Sequence, residues 1–333
     1  MPSTSIALCT YNASRFLEQQ LDSYLTQSIL PNELVVCDDA STDETITILK
    51  QFKEKSPFKV FIFENEKNLG YVKNFEKAVE HCTKDIIFLS DQDDVWLPNK
   101  IERISLAFDK NPNASMALTN AHIVDDTLNK LNNTLWQEFG NNLSMFEGIG
   151  RANLFDLLLR NRVANTGATM AFRRAIVAQI MPFPSHTVIH DKWIALCQAA
   201  LGSILFVDEP LVLYRQHGEQ QIGVGIKTTE KRSWKSKLTQ KYGGKTSDLQ
   251  HALQSSQTLY NHLIAKNIDP AVLASLSHQM AHYKMRLSLP KLLLPLRIIP
   301  IFKDVLNQRY FYYTTYQNSW SKIASAALSD LLF

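Results

Sequence analysis

Four near-continuous apolar runs, "SIALCT" (5–10), "ELVVCD" (33–38), "KVFIF" (59–63) and "DIIFLS" (85–90), alternate with segments of helical period in the N-terminal part of the chain. No other feature constrains the fold as strongly. Strands that are apolar on both faces need cover on both faces, and a parallel sheet obtains it from the helices that connect its strands. Residues 13–27 place Phe16, Leu17, Leu21, Tyr24 and Leu25 on one helical face. A second helix is predicted over 43–55, capped by Ser41 and Thr42, with Asp43 and Glu44 in the first turn where the helix dipole favours negative charge. A third is predicted over 71–82. The expectation is an α/β fold: a mostly parallel sheet, right-handed crossovers and flanking helices.

Downstream the pattern loosens. "SMALTNAHIV" (115–124), "TGATMAFRR" (166–174) and "LVLYRQH" (211–217) read as strands, and residues 191–201 as a helix. The composition changes after Gly225. Residues 1–224 carry 20 Lys and Arg against 27 Asp and Glu, a net −7, whereas residues 225–333 carry 15 against 5, a net +10. Two regions with separate tasks are expected: a catalytic domain over 1–224 and a basic helical extension over 225–333. With 45% hydrophobic and 20% charged residues the chain is an ordinary globular one. Cys9, Cys37, Cys82 and Cys197 are scattered and show no metal-type pairing, and Cys9 and Cys37 sit in apolar strand-like runs where buried reduced thiols are expected. The N-terminus lacks a basic leader, which points to a cytoplasmic chain.

Each apolar run ends in polar residues. Thr10-Tyr11-Asn12 closes the first, Asp38-Asp39 the second, Asn68-Leu69-Gly70 follows the third and Asp91-Gln92-Asp93-Asp94 the fourth. Any one of these could be turn chemistry. Four in succession lie where open α/β sheets bind ligands, beyond the carboxyl ends of the strands. Asp91, Asp93 and Asp94 crowd like charges into four residues, an arrangement that raises carboxylate pKa values unless a cation shares the site. Hard oxygen donors suit Mg²⁺ or Mn²⁺, which complete their shells with water and phosphate. Neither a GxxxxGK[ST] loop nor a GxGxxG fingerprint occurs. A phosphate-bearing ligand held through a metal remains.

"ALCTYN", "VVCDDASTDET", "NLGYVKNFEKAV" and "FLSDQDDVW" together resemble the nucleotide-sugar-binding half of family 2 glycosyltransferases, which have the Rossmann-like GT-A fold. "NTGATMAFRR", "HDKWIALCQAALG" and "DEPLVLYRQHG" resemble its bacterial rhamnosyltransferase-like branch, so the likeness spans about 3–220. The resemblance implies that Thr10, Tyr11, Asn12, Asp38, Asn68, Gly70 and Asp91 hold the donor nucleotide, with Asp39 supporting their loop. It implies a D-x-D pair, Asp91 towards the ribose and Asp93 on the metal, with His217 completing a Mn²⁺ or Mg²⁺ site. Asp191 becomes the catalytic base of an inverting transfer. Asp94, Trp96, Gly167, His190 and Trp193 are candidates for the sugar or acceptor pocket, Asp94 alternatively capping a helix that opens at Leu97-Pro98. Asn74 and Phe75 stand where many family members carry arginine, and the Gln-x-x-Arg-Trp signature of processive synthases is absent. Transfer of one sugar per encounter is therefore expected, from dTDP-rhamnose to a surface-polysaccharide or lipid-linked glycan acceptor. A UDP-hexose or UDP-N-acetylhexosamine donor, a nucleotidyltransferase and a non-catalytic assembly partner are the alternatives.

The segment 287–306, "LSLPKLLLPLRIIPIFKDVL", is strongly apolar, yet Lys291, Arg297 and Lys303 interrupt it, and Pro290, Pro295 and Pro300 are expected to break its helix. It reads as an interfacial segment, with the following "RYFYYTTYQNSW" at headgroup depth. Peripheral attachment to the inner face of the cytoplasmic membrane is expected, with a homodimer interface as the alternative. Nucleic acid is not expected as a partner, since no recognised binding motif accompanies the charge.

Overall fold

The computed structural model describes residues 1–184, 188–218, 245–313 and 320–332. These fall into two compact units, Met1–Leu154 with Val163–Val224, and Phe155–Arg162 with Gly225–Phe333. The composition change at 225 lies outside the described residues.

The first unit is built on a nine-stranded sheet. Strands β1 (Thr4–Thr10), β2 (Glu33–Asp38), β3 (Lys59–Glu64) and β4 (Ile86–Ser90) pair in parallel in the order β3-β2-β1-β4. Their order brings the ends of β1, β2 and β4 to one sheet edge: Thr10 lies beside Asp38, and Leu8 beside Ser90. β1, β2 and β4 are buried along their whole length, as strands covered on both faces must be, whereas β3 at the edge alternates exposed and buried residues. The helix Leu17–Leu25 buries Leu17, Leu21 and Tyr24 of the predicted face, together with Gln20 and Ser23, while Leu25 is half-buried.

The rest of the sheet departs from simple alternation. β4 is followed in the sheet by β8 (Met170–Arg173), antiparallel to it, then β6 (Met116–Val124), β9 (Ile204–Arg215) and β5 (Val95–Trp96). β6 and β9 pair in parallel; β5 pairs with β9, and β7 (Lys130–Thr134) with β6, antiparallel. The sheet is thus mixed and mostly parallel. β9 starts well before the predicted 211, and its register with β6 shifts at Thr119, Asn120 and His122. Of the segment 166–174, only Met170–Arg173 is strand; Gly167–Thr169 forms a 3₁₀ turn.

Several local expectations are corrected. The first helix starts at Leu17 rather than 13, because Ala13–Phe16 form a turn closed on the Ala13 carbonyl. Ser41 and Thr42 do not cap the helix Thr45–Lys55: the Ser41 hydroxyl donates to Asp38, and the Thr42 N–H donates to Asn12. Asp43 instead accepts from the Thr45 N–H. The helix after the Asp cluster is Lys100–Lys110, so Asp94 is not its cap and Pro98 lies outside it. All four cysteines are free and buried.

The described residues of the second unit are helical, the main helices being Lys245–Ile264, Pro270–Ser288, Leu294–Leu306 and Trp320–Leu332. Pro300 does not break its helix. The turn survives without that N–H because Arg297, Ile301 and Asp304 anchor both sides of it in the unit's interior. Buried polar side chains join the helices. Arg286 donates twice to Asp330, which also accepts from the Tyr310 hydroxyl, and Asp304 is bonded to His282 and Arg309. Among the described residues no helix is long and apolar enough to cross a membrane.

Candidate active site

The β1, β2 and β4 ends open into a cleft of about 630 Å³, within the first unit. One side of it is a set of interlocked loops. Asp39 accepts from Asn65 Nδ2 at 2.9 Å, from the Leu69 N–H at 2.7 Å and from the Gly70 N–H at 2.9 Å. Gly70 has φ +81°, a conformation that favours glycine although a Cβ there would meet nothing within 4 Å. Asn68 closes the same turn by accepting from Gly70. Asp38, by contrast, is buried behind the cleft, where its carboxylate takes the Thr10 hydroxyl and both the N–H and hydroxyl of Ser41. It shapes the loops without lining the cavity. Tyr11 stands 40% exposed at the mouth. Its backbone N–H and carbonyl are both engaged by the side-chain amide of Gln92, which ties the β1 loop to the Asp cluster.

The acidic residues occupy distinct environments. Asp93 and His217 meet at 2.8 Å, and the His217 ring lies 4.8 Å from that of Phe16. Asp91 lines the cleft; burial, then the charges of Asp93 and Asp191, push its carboxyl up to about 7. Asp94 is buried away from the cavity. One of its oxygens accepts from the Arg215 N–H and the other has no hydrogen-bond partner among the described residues. Burial, with the neighbouring Asp93 and Asp91, pushes its carboxyl well up. Two buried cations underlie the cluster. Arg215 donates to the carbonyls of Asp93 and Asp126 and to Gln19, its guanidinium 4.3 Å over the Phe16 ring. Lys100, pulled down to about 7 by burial and held up by Asp94 and Asp91, donates to the Ala168 carbonyl at 2.7 Å.

Across the cleft, Asp191 opens the helix His190–Leu201. Burial raises its carboxyl to about 6, against N–H groups of Lys192 and Gly167 that favour the ionised form. His190 lines the cleft, stacked on Phe75 at 4.0 Å between centroids, and burial alone holds its imidazole neutral, down to about 3. Gly167 sits between, where a Cβ would stand 3.2 Å from His190 Nε2. Trp96 and Trp193 are core side chains outside the cleft. Trp96 packs on Tyr24 and Phe88, and the Trp193 indole donates to the Ile180 carbonyl.

The structure therefore gathers Thr10, Tyr11, Asn12, Asp39, Asn68, Gly70, Asp91, Asp93, Gly167, His190, Asp191 and His217 on one cavity. It leaves Asp38, Asp94, Trp96 and Trp193 behind its walls. Sequence reasoning missed Gln92, Lys100 and Arg215. Arg215 carried a signal, a cation inside the apolar run "LVLYR"; Lys100 carried none.

Among the described residues no three His, Cys, Asp or Glu side chains are gathered closely enough to hold a metal by themselves. The Asp93–His217 pair supplies one carboxylate and one imidazole, a donor set that fits Mn²⁺ or Mg²⁺ when a ligand's diphosphate and water fill the remaining positions.

Residues 5–181 match the model of glycosyl transferase family 2. An uncharacterised glycosyltransferase from a Nostoc species is 26% identical over 243 residues, 70% of either chain. The dTDP-rhamnosyl transferase RfbG of Shigella flexneri is 24% identical over 238 residues, 66% of this chain and 74% of RfbG. Among solved structures, residues 1–349 of S. aureus TarS in complex with UDP-GlcNAc superpose with a TM-score of 0.59 at 14% identity, over 99% of this chain and 89% of that one. A longer TarS chain matches with a TM-score of 0.55 at 16% identity, over 86% of this chain and 43% of its own length. A mixed, mostly parallel sheet with flanking helices, a cleft at the strand ends and a family match over more than half the chain lead to one conclusion: this protein is a glycosyltransferase of family 2, with the GT-A fold.

Proposed function

We propose that the protein is a metal-dependent inverting transferase. It would move one sugar, rhamnose from dTDP-rhamnose, to a surface-polysaccharide or lipid-linked glycan acceptor at the cytoplasmic membrane face. The observation that carries the mechanism is the opposition of Asp191, a carboxyl at about 6, to the Asp91/Asp93–His217 cluster within one cleft. The likeness to RfbG supports the donor. Tyr11 offers a ring face to the base, and the Asp39-braced loop presents backbone to the ribose and phosphates. Asp93 and His217, with Asp91 nearby, would hold Mn²⁺ or Mg²⁺. When bound, that ion supplies positive charge where the leaving diphosphate develops negative charge. Asp191 accepts the acceptor hydroxyl's proton as its oxygen bonds to the anomeric carbon and the carbon–oxygen bond to the diphosphate breaks on the opposite face. A positioned base contributes about 10²–10⁴-fold.

The test is nucleotide-diphosphate release with Mn²⁺ and with Mg²⁺ across dTDP-rhamnose, UDP-glucose, UDP-galactose and UDP-N-acetylhexosamines. Lipid-linked glycan extract serves as acceptor and Asp191→Asn as control. Release from dTDP-rhamnose alone, lost in the control, supports the reading. Release from a UDP-sugar replaces the donor, and pyrophosphate as product sinks the transferase mechanism.

For the second unit we infer a separate role, attachment to an anionic bilayer. The helix Leu294–Leu306 is inverted: its interior face holds Arg297 and Asp304 beside Ile301, while Leu296, Ile298, Ile299, Phe302 and Leu306 are each more than half exposed. Lys291 and Lys303 are exposed beside that face, in a region of net +10. Apolar burial at the interface and attraction of about 1 kcal/mol per basic residue would act together. Flotation with phosphatidylglycerol vesicles, lost in Phe302→Asp and absent with phosphatidylcholine, is the expected result. A stable dimer by sedimentation without vesicles, broken by the same substitution, would assign the face to a second copy of this chain.

A further inference from the structure

The 3₁₀ turn Gly167–Thr169 runs between the carboxylates on the two sides of the cleft, and a buried cation holds it. The N–H of Gly167 faces the Asp191 carboxylate, and the N–H of the next residue, Ala168, faces that of Asp91. The carbonyl of Ala168 accepts from Lys100 Nζ at 2.7 Å. Lys100 is itself wholly buried, its ammonium 3.7 Å from the centre of the Trp96 ring.

This is a costly place for a lysine. Burial of an ammonium is strongly unfavourable unless it is paired. The residue is also the first of the helix Lys100–Lys110, the end at which the helix dipole disfavours positive charge. A methionine would fill much the same space against Trp96 without either penalty. What the lysine supplies beyond volume is the bond to Ala168 and a positive charge beneath Asp91 and Asp94. The turn is confined from the cleft side as well. A Cβ on Gly167 would stand 3.2 Å from His190 Nε2 and 3.6 Å from Asp91 Oδ2.

We propose that Lys100 is a positioning residue: through the Ala168 carbonyl it locks the Gly167–Ala168 turn as a bracket that sets the separation between Asp91 and Asp191. The inference rests on the reading of Asp191 as the base. The turn thus stands beside both carboxylates, its Gly167 position 3.6 Å from Asp91 Oδ2 by the Cβ it lacks, so loosening it would move the base relative to the anomeric carbon while the β1 and β2 loops keep their grip on the nucleotide. A misplacement of about 1 Å can cost about 10²-fold in rate.

The discriminating readout is the ratio of sugar transfer to donor hydrolysis. In hydrolysis a water oxygen bonds to the same anomeric carbon, the same bond to the diphosphate breaks and the water's proton passes to solvent. A water can reorient around a displaced base; a bound acceptor hydroxyl cannot. Partial unfolding lowers both activities in step and leaves the ratio alone. Full-length Lys100→Met is assayed with Mn²⁺ and dTDP-rhamnose, or whichever donor the panel selects, and nucleotide diphosphate affinity is titrated in parallel. The ratio is expected to fall about tenfold or more, in keeping with the cost of a displaced reacting group, with nucleotide affinity close to the parent's. A folded Lys100→Met protein with an unchanged ratio overturns the proposal. Where Lys100→Met yields no folded protein, Lys100→Leu decides by the same ratio, because it too removes the bond to the Ala168 carbonyl. Asp191→Asn separates the two layers of argument. Full transfer in that variant overturns the base and the bracket with it, whereas abolished transfer beside an unchanged Lys100→Met ratio overturns the bracket alone.

Discussion

Protonation of Asp191 offers the sharpest quantitative test of the catalytic assignment. Burial raises its carboxyl from the ordinary 3.8 to about 6, while the N–H groups of Lys192 and Gly167 and the charge of Lys192 restrain the rise. A general base works only when ionised, so activity is present above the folded-state value and is lost as the pH falls through it. The kcat/KM for acceptor should therefore drop about tenfold per unit below pH 6, where an ordinary carboxylate would leave the rate flat to about pH 4. Other titrating groups lie close by. Asp91, pushed up by burial, lies on the β4 side, and Lys192 follows on the same helix, its ammonium drawn down to about 8 by burial. The limb is then a property of the cluster until a substitution isolates one member. Asp191→Asn should lower the rate by about 10²–10⁴-fold and abolish the limb in the activity that remains. Initial rates at saturating Mn²⁺ and constant ionic strength, from pH 4.5 to about 8, provide the assay. A limb centred near 6 that survives in the Asn variant would refute the assignment, as would a parent enzyme with no limb above pH 4.5.

Three further expectations concern the scaffold. Asp39→Ala leaves the Leu69 N–H without its acceptor and takes one of two acceptors from the Gly70 N–H and from Asn65 Nδ2; it should cost about 1–3 kcal/mol in denaturant unfolding and weaken nucleotide binding, and a loss under about 0.5 kcal/mol would contradict the bracing role. Gly202→Ala would bring a Cβ to 2.2 Å from Ser115 Oγ and 2.4 Å from Gln198 Oε1, so the unfolding midpoint should fall by the equivalent of about 1–3 kcal/mol. Asp330→Ala strands the buried Arg286 guanidinium and Tyr310 hydroxyl and should destabilise by about 3–5 kcal/mol, read from chemical denaturation. Asp330→Asn, which keeps the acceptor and loses the charge, should recover part of that loss.

How far the fold was legible follows from how local its signals are. β1, β2 and β4 announce themselves because a strand buried on both faces is an unbroken apolar run, and Leu17, Leu21 and Tyr24 lie a helical period apart whatever they pack against. The 3₁₀ turn before β8, the early start of β9 and the register shifts along β6 depend on partners more than 40 residues away, for which the chain carries no local mark. Caps failed for a related reason. Ser41 and Thr42 have the right side chains for a helix N-terminus, but the Ser41 hydroxyl is spent accepting from the Asn12 N–H and donating to Asp38, and the Thr42 hydroxyl donates to Asn12. Pro300 misled because interior packing outweighed a missing hydrogen bond.

The site divides along the same line. Tyr11, Asp39, Asp91 and Asp93 each follow the carboxyl end of a parallel strand, so the sequence alone places them at one end of the sheet, and all four line the cleft. The groups that make those acids usable are buried cations, and a buried lysine in sequence is indistinguishable from a solvated one. Lys100 and Arg215 put positive charge beneath Asp91, Asp93 and Asp94, which in water would simply repel. That charge is insufficient to bring Asp91 back to an ordinary carboxylate value, since its carboxyl still stands at about 7. Burial comes first among the causes, ahead of the neighbouring Asp93 and Asp191, and on the open side of the cleft it is Asp93 and His217 that meet. Burial thus divides the cluster: Lys100 and Arg215 bond backbone carbonyls behind it, while Asp91, Asp93 and His217 line the cleft.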